Sequence, residues 1–263
     1  MPRARECARI ALGLDEKLGE AHAVLAEVKR WFDWDFEGAG RHYRRAIELN
    51  PGHAYTRLYY SIFLAQMGDP GWEREVAAMH RLDPVSNSAL CGGGVPYYYT
   101  RRHAEALELQ QRCLDALPVF WVAEMMSAWS HAALGQHGAA VGFARRAIEH
   151  SSGSHVCQAT LGYCLACAGD RPGAAAVLES LNLPSAGGYS SPYYRAIIHA
   201  TLGDRDAAFR CLDDALKDRS GWLVYALVDP KLDALRVDER FSAVRQQIGF
   251  GSATAAGTGS GRV

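Results

Sequence analysis

Small and apolar residues recur along this chain at one fixed step. Ala106, Ala140, Ala174 and Ala208 lie 34 residues apart, and Gly135, Gly169 and Gly203 keep the same step. A period of this length is the signature of a solenoid built from helix–turn–helix units. The register predicts six helix pairs, with first helices beginning near residues 19, 54, 87, 121, 155 and 189. The inner stripe of the first helices is uncharged, and arginines and acids fall on the second helices. The turns read Gly68-Asp69-Pro70, Gly169-Asp170-Arg171-Pro172 and Gly203-Asp204. Each ends one helix with glycine and caps the next with aspartate. In two of them a proline follows in the first turn. Each unit of such an array touches only its neighbours, so the molecule presents a long surface instead of enclosing a catalytic pocket.

Helix–turn–helix repeats of this period carry W-x2-L-G-x2-Y, then A-x3-F, then P. The second half of that pattern is clear. Ala39-x3-Tyr43 leads to Ala46 and Pro51, and Ala106-x3-Gln110 leads to Cys113 and Pro118. Ala140-x3-Ala144, Ala174-x3-Leu178 and Ala208-x3-Leu212 continue it. Leu161-Gly162-x2-Leu165 and Gly94-x2-Tyr97 fit the first half. On these residues the chain resembles the tetratricopeptide-repeat (TPR) family over roughly residues 3–220. The resemblance implies an all-α, right-handed TPR superhelix, an α-solenoid of about six helix pairs with a C-terminal capping helix. The unit from Ala54 is one residue short, since Pro51 and Pro84 lie 33 apart.

The expected organisation has four parts. Residues 1–18 are a half-repeat, because Ala4, Ala8, Ala11 and Glu16 have the spacing of a second helix. Met1 is then either a truncated start, which is the expectation here, or the first residue after a missing upstream region. Residues 19–220 hold the six pairs. Residues 221–248 form a C-terminal capping segment, where Asp229-Pro230 breaks the repeat, Asp238 is the expected helix N-cap, and Phe241, Val244 and Ile248 make one apolar stripe. Residues 249–263, GFGSATAAGTGSGRV from Gly249, are Gly/Ser/Thr-rich and expected to be a disordered tail.

A narrower resemblance rests on Trp31-Phe32-Asp33-Trp34-Asp35-Phe36 with Ala39, on Ala46-Ile47-Glu48-Leu49-Asn50-Pro51, on Leu82-Asp83-Pro84-Val85-Ser86, and on Asp229-Pro230 with Leu235-Arg236 and Arg240-Phe241. These stretches resemble the C-terminal TPR arrays of bacterial winged-helix transcriptional regulators, adenylate/guanylate cyclases, kinases and TolB-like proteins. That resemblance implies a sensing or docking part whose output domain lies upstream. It implies no ligand.

Charge and chemistry narrow the function further. The net charge of −1 gives no electrostatic footprint for nucleic acid or for an anionic membrane. No apolar run approaches the roughly 18 residues of a membrane span. Arg3, Arg5 and Arg9 among apolar residues give the start a transit-peptide look, without a cleavage-like site. Seven cysteines without framework spacing point to reduced thiols and a cytoplasmic location, and the narrower resemblance implies that the cell is bacterial. No nucleotide-binding, zincin or nucleophile-elbow motif occurs, so no catalytic, cofactor-binding or metal residue is assigned. Cys164-Leu165-Ala166-Cys167 lacks the second ligand pair a metal needs, and reads as small buried residues in a repeat. Gly92-Gly93-Gly94 with Pro96 falls in the first helix of the third pair, which is expected to be shortened or kinked until Tyr97.

The candidate binding surface is the concave face. Its inner stripe runs through Tyr55, Leu58 and Ile62, then Tyr98 and Tyr99, then Met125 and Trp129, then Tyr163, then Tyr193. No stripe position is charged, although charged residues are 22% of the chain. A clamp for a terminal carboxylate needs Lys, Arg or Asn in the groove. An uncharged aromatic lining suits instead an apolar helix or an extended aromatic-bearing segment. The expectation is a non-enzymatic protein–protein interaction module for a protein or peptide partner. The alternative is the sensor portion of a bacterial signalling protein. An enzyme using Cys164 and Cys167 is a third class.

Overall fold

A computed structural model of the chain describes residues 2–182 and 189–250. Among the described residues all regular structure is helical. Helix α1 (Pro2–Leu14) is followed by α2 (Gly19–Val28), which runs into a π-turn at Lys29–Asp33. Then come α3 (Phe36–Leu49), α4 (Ala54–Met67), α5 (Trp72–Leu82), α6 (Asn87–Tyr99) and α7 (His103–Ala116). The array continues through α8 (Trp121–Ala133), α9 (His137–His150), α10 (His155–Cys167), α11 (Arg171–Asn182), α12 (Pro192–Leu202) and α13 (Arg205–Lys217). It closes with 3-10 turns at Gly221–Tyr225 and Pro230–Leu232, the single turn α14 (Asp233–Arg236), and α15 (Arg240–Gln247). Each odd helix from α3 to α13 packs on the helix before it, and the pairs stack into an all-α solenoid.

The repeating small residues explain the pairing. Ala106, Ala140, Ala174 and Ala208 are all fully buried at the seam of a pair, where a larger side chain would push the helices apart. Gly169 and Gly203 end α10 and α12 with φ of +81° and +83°, a left-handed geometry that lacks a steric cost only for glycine. The next residue then caps the following helix. Asp170 accepts from the Gly173 amide at 2.9 Å, and Asp204 from the Ala207 amide at 3.0 Å.

Helix α6 corrects an expectation. It runs unbroken from Asn87 to Tyr99, through the three glycines and Pro96. The glycines mark close packing, not a break. A Cβ on Gly92 would lie 2.8 Å from Leu58 Cδ2, one on Gly93 would lie 2.9 Å from His80 Nε2, and one on Gly94 would lie 3.3 Å from the Ala106 carbonyl. Helix propensity is a local cost of about 1 kcal/mol per glycine, and tertiary burial of this helix outweighs it.

The C-terminal end closes the array. Phe241, Val244 and Ile248 are buried, and α15 packs beside α13. Asp238 accepts from the Arg240 amide at 3.1 Å and pairs with its guanidinium at 2.8 Å, which holds its carboxyl down at about 2. Arg240 also lies 4.2 Å over the Phe209 ring. Of the expected tail 249–263, Gly249 and Phe250 are described, and the Phe250 ring packs 4.3 Å from Phe36. The remainder lies outside the described residues. The two ends of the solenoid therefore meet. Trp31 sits edge-on to Trp222 at 5.8 Å and to Tyr225 at 5.5 Å, and Arg219 donates to the Phe32 carbonyl at 3.1 Å.

Candidate functional site

The aromatic stripe of the first helices converges, and something already lies on it. Of the nine candidate groove residues, Leu58, Ile62, Tyr98, Tyr99, Met125, Trp129, Tyr163 and Tyr193 are buried. Tyr55 stands apart, 52% exposed, beside Tyr59 at the mouth of a separate cleft. Leu58, Ile62 and Met125 belong to the main apolar core. Tyr98, Tyr99, Trp129, Tyr163 and Tyr193 surround residues 221–236 of the same chain.

That segment lies against helices from the first pair to the last. Its apolar side chains Leu223, Val224, Ala226, Leu232 and Leu235 are fully buried. Gln66 of α4 donates to the Val224 carbonyl at 2.5 Å. Tyr99 of α6 stacks on Tyr225 with centroids 4.6 Å apart and planes at 12°. Arg101, in a left-handed turn after α6 (φ +69°), donates to the Val228 carbonyl at 2.5 Å and to Asp233 at 2.7 Å. Tyr193 of α12 donates to Asp229 at 2.9 Å. The first helices thus contact both the side chains and the main chain of one polypeptide segment.

Two buried cations anchor it. The Lys231 ammonium lies 2.9 Å from Asp229, 3.3 Å from the Tyr98 hydroxyl, and 3.9 Å over the Trp129 ring, with Tyr163 at 6.0 Å. Burial lowers the pKa of this ammonium, and Asp229 opposes that shift. Burial also pushes the phenols of Tyr98, Tyr99, Tyr163 and Tyr193 well above their ordinary range, so they remain protonated and neutral. The second anchor is Arg30, in the π-turn after α2. Its fully buried guanidinium donates to Gln66 and to the Tyr225 hydroxyl, each at 2.8 Å, and reaches Glu27 at 3.4 Å. A cavity of about 20 Å³ remains beside Lys231, Thr160 and Tyr194, room for one water molecule.

Sequence reasoning missed Arg30, Tyr225, Asp229 and Lys231 as residues of this face. A signal was present. Gly221–Val228 reads GWLVYALV, an uncharged apolar-aromatic run matching an uncharged aromatic stripe. It follows the last repeat, and the periodicity assigns it no place on the solenoid.

The cysteines of α10 pack as small side chains of the repeat. Cys157 and Cys164 are buried, and burial pushes both thiols and that of Cys167 up. A raised thiol pKa leaves little thiolate for reaction or metal binding. Among the described residues no group of three His, Cys, Asp or Glu side chains is placed to hold a metal. No helix there is long and apolar enough to cross a membrane.

The fold and its filled concave face define a helical-repeat solenoid of the TPR type. No family model and no curated protein matches the sequence. Among solved structures, the chain is similar to human IFIT1, seen as a dimer with m7Gppp-AAAA, with a TM-score of 0.65 and 15% identity over 95% of this chain and 64% of that one. It is similar to PilW, described as a widely conserved type IV pilus biogenesis factor, with a TM-score of 0.56 and 15% identity over 83% and 98% of the two chains. Pseudomonas aeruginosa PilF gives 0.54 and 16%, over 82% and 97%. These neighbours are TPR proteins, and the chain has the TPR fold.

Proposed function

We propose that the protein is a non-enzymatic interaction module that grips an extended polypeptide segment along its concave face. In this state the gripped segment is its own residues 221–236. The observation that carries this reading is the series of contacts from Gln66 on α4, Tyr99 on α6, Trp129 on α8 and Tyr193 on α12, all first helices of their pairs, to one segment. Uncharged aromatic rings with a few hydrogen-bond donors favour a polypeptide over a nucleic-acid backbone, which calls for a row of cations. A partner segment competes with residues 221–236 for this face. Docking is also the chemistry that the sensor portion of a bacterial signalling protein needs, so both readings share one test.

The test uses a fluorescent peptide of sequence 221–236 added to the full chain. A tethered segment competes at an effective concentration on the order of millimolar, so the wild-type protein binds the peptide weakly. Tyr225→Ala removes the hydroxyl bond to Arg30 and the stack on Tyr99, and loosens the internal copy. The expected outcome is at least tenfold tighter peptide binding by the variant. Equal binding by both proteins, with the internal segment of the variant shown by limited proteolysis to be released, contradicts the reading.

A further inference from the structure

The stripe residue that the C-terminal segment leaves uncovered, Tyr55, belongs to a second and separate site. Helices α1, α2 and α4 enclose an open cleft of about 330 Å³, at the lower end of the range for ligand pockets. Its walls are mostly apolar, with Ala23, Val24 and Val28 facing Tyr55 and Tyr59. Val24 is 40% exposed, although it is aliphatic and helical. The tyrosine rings lie 4.5 Å apart, and their hydroxyls are joined at 2.7 Å.

Three polar features give the cleft a chemical preference. First, the Asp, Glu, Lys and Arg side chains among its described lining residues are Glu20 and Glu27, both acidic, with His53 beside them. Second, Glu27 is half-buried, which raises its pKa; it accepts from the Trp31 indole N–H at 2.9 Å, and its one cationic neighbour, Arg30, reaches it only at 3.4 Å. Third, Tyr43 lines the cleft with a buried hydroxyl that has no hydrogen-bond partner among the described residues. A half-buried carboxylate that one cation reaches only at long range, two tyrosine faces and an orphaned hydroxyl complement an aliphatic stem that ends in a cation bearing several N–H donors.

The geometry points to this cleft as a docking site for an arginine or lysine side chain presented, among apolar residues, by a partner protein. The stem lies along Ala23, Val24 and Val28, the cation sits between the tyrosine rings and Glu27, and Tyr43 accepts from it. The site does not depend on displacing residues 221–236, so it stands or falls apart from the function proposed for the concave face.

A pair of small probes isolates the charge. n-Butylguanidinium mimics an arginine side chain, and n-butylurea is its neutral counterpart of the same shape. A fragment of this size binds with an affinity on the order of millimolar. In amide-resolved NMR titrations of the full chain, the cation is expected to shift Val24, Glu27, Tyr55 and Tyr59 saturably, and the urea to leave them in place. Val24→Arg, at an exposed position, places a competing cation in the cleft and should abolish the shifts with the melting temperature unchanged. Tyr55→Ala should weaken binding by a factor of about three. Equal response to cation and urea, no saturable response in the cleft, or an unaltered response in a folded Val24→Arg protein overturns the assignment.

Discussion

Lys231 is a buried cation within the segment that fills the concave face. Its ammonium is withdrawn from water and has one carboxylate partner, Asp229, which itself accepts from Tyr193 and from the Lys231 amide at 3.1 Å. Removing one member of a buried pair strands the other charge, at a cost of about 3–5 kcal/mol, whereas removing both costs much less. Lys231→Met should therefore lower unfolding stability in urea by that amount, and Lys231→Met with Asp229→Asn should recover a large part of it. Additive losses in the double variant would show that the two groups do not act as a pair. Burial lowers the Lys231 pKa, so a methionine of similar length trades an expensive ion for apolar contact with Trp129.

At the scale of elements, glycines with identical helix propensity have opposite meanings. Gly142 is exposed in α9 with open space where a Cβ would go, and Gly92 in α6 faces Leu58 at 2.8 Å. Gly142→Ala should stabilise the protein by about 0.5–1 kcal/mol, the ordinary gain of alanine over glycine in a helix. Gly92→Ala should gain the same locally and lose about 1–3 kcal/mol to overpacking, for a net loss. Thermal or urea unfolding of the two variants checks the contrast in sign. The all-α fold and its helix pairs were legible because a 34-residue step between buried alanines is a local, repeated constraint. The continuity of α6 was not, because the atoms that require Gly92 and Gly93 come from Leu58, Met79 and His80 in the preceding pair, and those that crowd Gly94 come from Ala106 on α7. The stripe of tyrosines and tryptophan was legible as an apolar face. Its occupant was not, since Lys231 meets Tyr98 across 133 residues of sequence, and a periodic pattern carries no information about a segment outside the period.

At the scale of the molecule, residues 221–236 turn an open array into a closed one by joining the first pair to the last. Helix packing along the array half-buries titratable groups along with apolar ones. Burial is the leading cause that pushes His42, His80, His103 and His199 below the ordinary value of 6.5. A histidine whose folded pKa is depressed binds fewer protons folded than unfolded. Its contribution is fully present above 6.5 and is lost as pH falls toward the folded value. Melting temperature should therefore drop as pH falls from 7 to 5. His103→Gln should flatten that drop, because His103 lies beside Arg101 and Lys231, which add to its shift. A melting temperature that rises over the same interval would contradict the burial of these rings.

A concave face filled by the chain's own C-terminal segment has a signature in amide hydrogen exchange. The amides of Leu223, Ala226, Asp229 and Leu232 donate to Ser220, Leu223, Tyr225 and Asp229 carbonyls within that segment, under fully or nearly buried side chains. They should exchange as slowly as the core amides of α8 and α10. Exchange of these four amides at the rate of the exposed turn Ser152–Gly153, with α8 and α10 still protected, would mean that the face is open and the account is wrong.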